Sequence, residues 1–137
     1  MFDDPRLKRV LKRYEKGSNL SDASIDVSNL GVGELLKACR CASLADLSAP
    51  KELDETALAH LSKRMDIPYN IEQFDYFLHS YIRAEHVEAY YADPSVTSMP
   101  APENGPPSKI PLSPGTAWRS VRPKNGQESY EAWPLAN

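Results

Sequence analysis

The side chains with the most chemistry to offer are two cysteines, Cys39 and Cys41, and three histidines, His60, His79 and His86. Cys39 and His60 together would suit a nucleophile and its base, but neither lies in a recognisable catalytic motif, so Cys39 reads as a buried structural thiol. Asp75 and His79 are four residues apart, with His86 seven further on, which are ligand types at helical spacing. Helical two-iron sites require a Glu-x-x-His pair, which is absent, and "CRC" has no partner cysteines. The "GVG" at Gly31–Gly33 has neither the lysine nor the length of a phosphate loop, and there is no G-x-S-x-G elbow. The expectation is therefore no catalytic residue, no metal and no cofactor.

Binding chemistry is better represented. Nine of the 12 prolines follow Asp93, six of them within "SMPAPENGPPSKIPLSPGTAW". Proline fixes φ and removes a backbone donor, so such a stretch suits neither a helix nor a central strand. Ile110, Leu112, Trp118, Tyr130 and Trp133 are spread singly through this segment. Isolated apolar anchors between prolines fit an extended arm that docks on another protein. The first 17 residues carry six basic and three acidic side chains, whereas residues 51–93 carry four basic and nine acidic ones. Arg6, Arg9, Arg13 and Lys16 form the basic surface of that N-terminal stretch. It reads first as a solvated or self-packed face, and second as a contact for nucleic acid.

The elements that would position these residues look helical. In "DDPRLKRVLKRYEKG", Leu7, Val10, Leu11 and Tyr14 follow helical spacing, with an Asp cap, Pro5 in the first turn and Gly17 as the stop. Shorter helices are expected over "VGELLKACRCASL" and "LDETALAHLSKRM", the latter capped by Asp54. The longest helix is expected over "IEQFDYFLHSYIRAEHVEAYYA", capped by Asn70 and ended by Asp93–Pro94. Its aromatics, including Tyr90 and Tyr91, fall on more than one side, which points to a shared partner surface. The string "LAHLSKRMDIP" resembles the middle of a DNA-binding helix-turn-helix. However, the recognition helix this implies would be acidic and aromatic, a poor match for a phosphate-lined groove.

The fold expected is all-α: a small domain of three to four helices at residues 1–93, followed by a long, extended, proline-rich arm at 94–137. The function expected is non-catalytic, as a structural subunit of a large protein complex that docks through the arm and the aromatic helix. The build is analogous to head, neck or tail accessory proteins of tailed-bacteriophage particles. The alternative is a small nucleic-acid-binding regulator using the basic helix. Partners would be other protein subunits, with nucleic acid second. No apolar run approaches the roughly 20 residues of a membrane span, and the N-terminus shows no signal-peptide pattern. Location is expected to be cytoplasmic during assembly, then within the virion or complex.

Overall fold

The computed structural model describes residues 3–106 and 111–135. Its architecture is mixed α/β, which overturns the all-α expectation. Among the described residues, seven strands form two sheets and only three α-helices are present. In chain order these are β1 (Leu7–Glu15), β2 (Ser21–Asp26), α1 (Val32–Cys39), β3 (Lys51–Glu52), α2 (Glu55–Ser62), β4 (Phe74–Ile82), α3 (Val87–Ala92), β5 (Ala101–Pro102), β6 (Thr116–Lys124) and β7 (Gln127–Pro134).

β1 and β4 are the centre of the molecule. They pair antiparallel over nine residues, from Leu7 opposite Ile82 to Glu15 opposite Phe74. β2 lies antiparallel on the outer side of β1, and β3 and β5 share the far edge of β4. The expected N-terminal helix is thus β1, and the first part of the expected long helix is β4. The physical reason is that both strands are covered on both faces. Leu7, Val10, Leu11 and Tyr14 are all buried, as helical spacing would have it. On a strand, however, residues of opposite parity point to opposite sides. Leu11, Tyr76 and Leu78 pack under α1 and α2 with Val27, Leu35, Leu58 and Leu61. Tyr14, His79 and Tyr81 face the other way, beneath the β6–β7 hairpin.

The helices that do form are short. α2 keeps its expected cap, with Asp54 Oδ1 accepting from the Ala57 amide at 2.8 Å. α1 ends at Arg40 in the left-handed conformation. α3 retains only the last turns of the expected long helix; Tyr90 is buried there with Leu7 and Ile82.

The extended arm is the second correction. Residues 116–134 form an antiparallel hairpin whose two-residue turn is Asn125–Gly126, with φ of 53° and 72°. This is the Asn-Gly turn whose twist matches that of flanking strands. The hairpin is bonded to the main sheet, with the Arg122 amide donating to the Asn19 carbonyl at 2.8 Å. The likeness in build to arm-bearing phage subunits rested on that arm and falls with it, as does the description of the protein as helical.

Candidate functional site

Between the main sheet and the hairpin lies a buried polar cluster. β4 places His79 and Tyr81 on the hairpin side, β1 adds Tyr14, and the hairpin supplies Ser120 and Glu128. His79 is fully buried and Glu128 nearly so. Tyr14 donates its hydroxyl proton to His79 Nε2 at 3.0 Å. His79 Nδ1–H donates to Glu128 Oε2 at 2.8 Å, which fixes the tautomer. Glu128 Oε1 accepts from the Ser120 hydroxyl at 2.6 Å and from Tyr81 at 3.0 Å. The His79 and Tyr81 rings stack, with centroids 5.5 Å apart. Every polar atom of the group thus has a partner within it, as a buried polar network needs if it is to stabilise the fold.

Burial dominates the electrostatics. It pushes the His79 pKa below its ordinary 6.5, against the opposing pull of Glu128. It also drives the phenols of Tyr14 and Tyr81 far above their usual range, with the Glu128 charge adding to the effect. The composition is that of an acid–base site, but the arrangement is not one for nucleophilic catalysis. Ser120 bonds Glu128 rather than the imidazole, so the base that should activate the hydroxyl does not touch it.

The other chemical candidates separate in space. Asp75, four residues before His79, turns to Lys16 at 2.6 Å and Arg122 at 2.7 Å. On a strand, positions i and i+4 are about 13 Å apart, so helical ligand spacing has no meaning here. Among the described residues no group of three His, Cys, Asp or Glu side chains could hold a metal ion. His60 pairs with Glu34 at 2.8 Å, joining α2 to α1, and not with Cys39. Burial pushes the Cys39 thiol up to about 12, the reverse of what a nucleophile needs.

A surface groove opens beside the cluster. It has a volume of about 500 Å³ and runs between Pro50, Tyr91, Met99, Pro100 and Tyr130, with Glu128 also in its lining. Met99 is 60% exposed and Tyr91 38% exposed at its rim. Tyr130 donates to the Pro102 carbonyl at 2.6 Å, which ties the hairpin to the β5 segment.

Two of the residues singled out from sequence, Tyr91 and Tyr130, therefore meet at this groove. Tyr90 is buried behind it, its hydroxyl donating to the Ser98 carbonyl at 2.7 Å. Trp118 is half-buried against Gly105, where a β-carbon would lie 2.9 Å from the indole. Trp133 is half-buried under the Arg119 guanidinium at 5.4 Å. Leu112 is half-buried, and Ile110 lies outside the described residues. Sequence reasoning missed Ser120 and Glu128 altogether; it placed Tyr81 only in the apolar stripe of the expected long helix, and Met99 only among the scattered apolar residues of the expected arm. The signal for Ser120 and Glu128 was the "PKNGQE" turn, which would have set β6 and β7 opposite each other.

The basic residues do not form a free stripe. Arg6 bonds Asp4 at 2.7 Å and Asp93 at 3.1 Å. Arg9 is buried, holding Asp3 at 2.8 Å and the Ser80 hydroxyl at 2.7 Å. Arg13 grips Asp22 with two bonds of 2.9 Å, and Lys16 is taken by Asp75. No helix of the described residues is long and apolar enough to cross a membrane. The chain matches no protein-family profile, no curated protein and no solved structure.

Proposed function

We propose that this protein is a non-catalytic subunit of a protein assembly, and that it holds an extended apolar segment of a partner in the groove between α3, the β5 segment and the hairpin turn. The observation that carries the reading is the groove's apolar lining: Met99 and Tyr91 stand exposed in it alongside Pro50, Pro100, Pro106 and Tyr130. Apolar side chains rimming a cleft are a usual mark of an interaction site. Prolines and a hydrogen-bonded tyrosine also keep the walls in place, so little entropy is lost on docking. The closed His79–Glu128 cluster supports the non-catalytic part, since its imidazole has no exposed surface for a substrate. The alternative of a nucleic-acid regulator has less behind it, because Arg6, Arg9, Arg13 and Lys16 each already face a carboxylate.

The test is to isolate the complex formed by the full chain in its native source and to map it by hydrogen exchange. Protection at residues 99–102 and 126–130 is expected, together with an affinity loss of about tenfold or more for Met99→Asp. An unchanged affinity for Met99→Asp, or protection confined to another face, would overturn the reading.

A further inference from the structure

Among the described residues that line the groove, Glu128 alone carries a charge. Its side chain is only 9% exposed. A charge at that depth is costly unless an opposite charge is paired with it. Among the described residues its one ionisable partner of opposite sign within 4.0 Å is His79, which burial holds neutral. Lys12 is near enough to feel the Glu128 charge, but its ammonium rests 5.0 Å from the Tyr81 ring centroid and forms no ion pair with the carboxylate.

The hydrogen bonds leave the carboxylate with spare capacity as well. An ionised carboxyl group offers about four lone-pair positions. Oε1 accepts from the Ser120 and Tyr81 hydroxyls, whereas Oε2 accepts from His79 Nδ1–H alone. Strand parity sets this acid beside the groove's aromatic wall. Glu128 and Tyr130 are two residues apart on β7 and point to one face, where Tyr130 reaches the Pro102 carbonyl and Glu128 reaches His79. Ala101, the ladder partner of Tyr81, lines the same groove.

We propose that the partner segment held in the groove carries a basic side chain, a lysine or an arginine, whose charged head pairs with Glu128. This rests on the groove being the docking site and adds the charge of its occupant. Charge complementarity selects such a segment over a wholly apolar or an acidic one, because the described lining supplies a negative charge and no positive one. A long basic side chain also suits the rest of the lining. Its methylene stem buries against apolar surface of the kind that Met99, Pro100, Tyr91 and Tyr130 provide, while its head keeps a polar partner. The head would donate to the spare position on Oε2, and a charge-assisted bond of this kind is stronger than a neutral one.

The probes are n-butylammonium chloride, n-butylguanidinium chloride and n-butanol, each titrated into the full chain at pH 7 and constant ionic strength. The readouts are the backbone amide resonances of Ala101, Glu128 and Tyr130. At least one cation is expected to bind about tenfold tighter than the alcohol at these resonances. Tighter butylammonium identifies a lysine and tighter butylguanidinium an arginine; either order supports the pairing. Glu128→Gln, which keeps an accepting oxygen, should abolish the preference and leave the alcohol's affinity unchanged. Equal affinity of cations and alcohol would overturn the pairing and leave the groove as an apolar docking site. The absence of a saturable shift with either cation would also overturn it, whereas the groove itself stands or falls by Met99→Asp in the native complex. If Glu128→Gln lowers the unfolding midpoint, the ratio of cation to alcohol affinity in the unaltered chain decides alone.

Discussion

His79 shows at the scale of one residue how environment outranks type. A histidine titrates near 6.5 when exposed, but burial holds this one in the neutral form with Tyr14, Glu128 and Tyr81 around it and Lys12 nearby. Its folded pKa is depressed, so the unfolded chain takes up a proton first as pH falls. Stability is therefore complete above 6.5 and declines from there down to the folded pKa. Each unit of depression contributes about 1.4 kcal/mol of this loss. Asp4, Asp22 and Asp75 are held below the ordinary 3.8, chiefly by hydrogen bonds to Arg6, Arg13 and Lys16, so their share is lost only in stronger acid. Urea unfolding at pH 7 and pH 5.5 should thus show a drop that His79→Gln flattens, because glutamine keeps a donor and an acceptor without titrating. Glu128 is the other decisive residue. Glu128→Ala strands the donors of His79, Tyr81 and Ser120, and should cost about 3 kcal/mol in denaturant unfolding. Glu128→Gln, which keeps an accepting oxygen, should cost visibly less.

Among elements, the β6–β7 hairpin matters most. It covers the face of the sheet that carries Tyr14, Phe77, His79 and Tyr81, and Arg122 clamps it to the Glu15 and Ser18 carbonyls at 2.8 Å each. A chain cut after Ser113 would expose that aromatic face. The expectation is a dye-binding, poorly cooperative product rather than an intact domain lacking a tail; a sharp unfolding transition in the truncated chain would contradict it. The turn itself depends on Gly126, whose φ of 72° is strained for any side chain. Gly126→Ala should destabilise the protein by about 1 kcal/mol, read as a lower denaturant midpoint at unchanged slope. This element was legible in principle. Asn125–Gly126 lies between "TAWRSVRPK" and "QESYEAWP", and only the surrounding prolines argued against strands. Pro123 and Pro134 sit near the strand ends and Pro114 lies outside, so the ladder survives them.

For the whole molecule, the C-terminal segment is part of the fold, and the tryptophans test this. Trp118 packs on Gly105, whose φ of 149° and near contact leave no room for a β-carbon. Trp118→Ala should lower the thermal midpoint of the isolated chain, at a cost of about 2 kcal/mol, and Gly105→Ala should move the same tryptophan's fluorescence. An unchanged midpoint for Trp118→Ala would return the segment to the status of a free arm. What the sequence by itself determined is local: the Asp54 cap of α2 and the short α1; among the described residues no helix is long and apolar enough to cross a membrane, as the lack of any long apolar run required. These depend on neighbours a few residues away. Only the tertiary structure decided the rest. Leu7, Val10, Leu11 and Tyr14 satisfy a helical period and equally a strand buried on both faces. So do Phe74, Tyr76, Phe77, Leu78, Tyr81 and Ile82, with aromatics on every side. Which period wins depends on whether both faces find cover, and that cover comes from α1 and α2 on one side and from a hairpin some forty residues downstream of β4 on the other. The same pairing of distant segments buries His79 against Glu128. The site and the fold are settled together, by contacts that no window of adjacent residues contains.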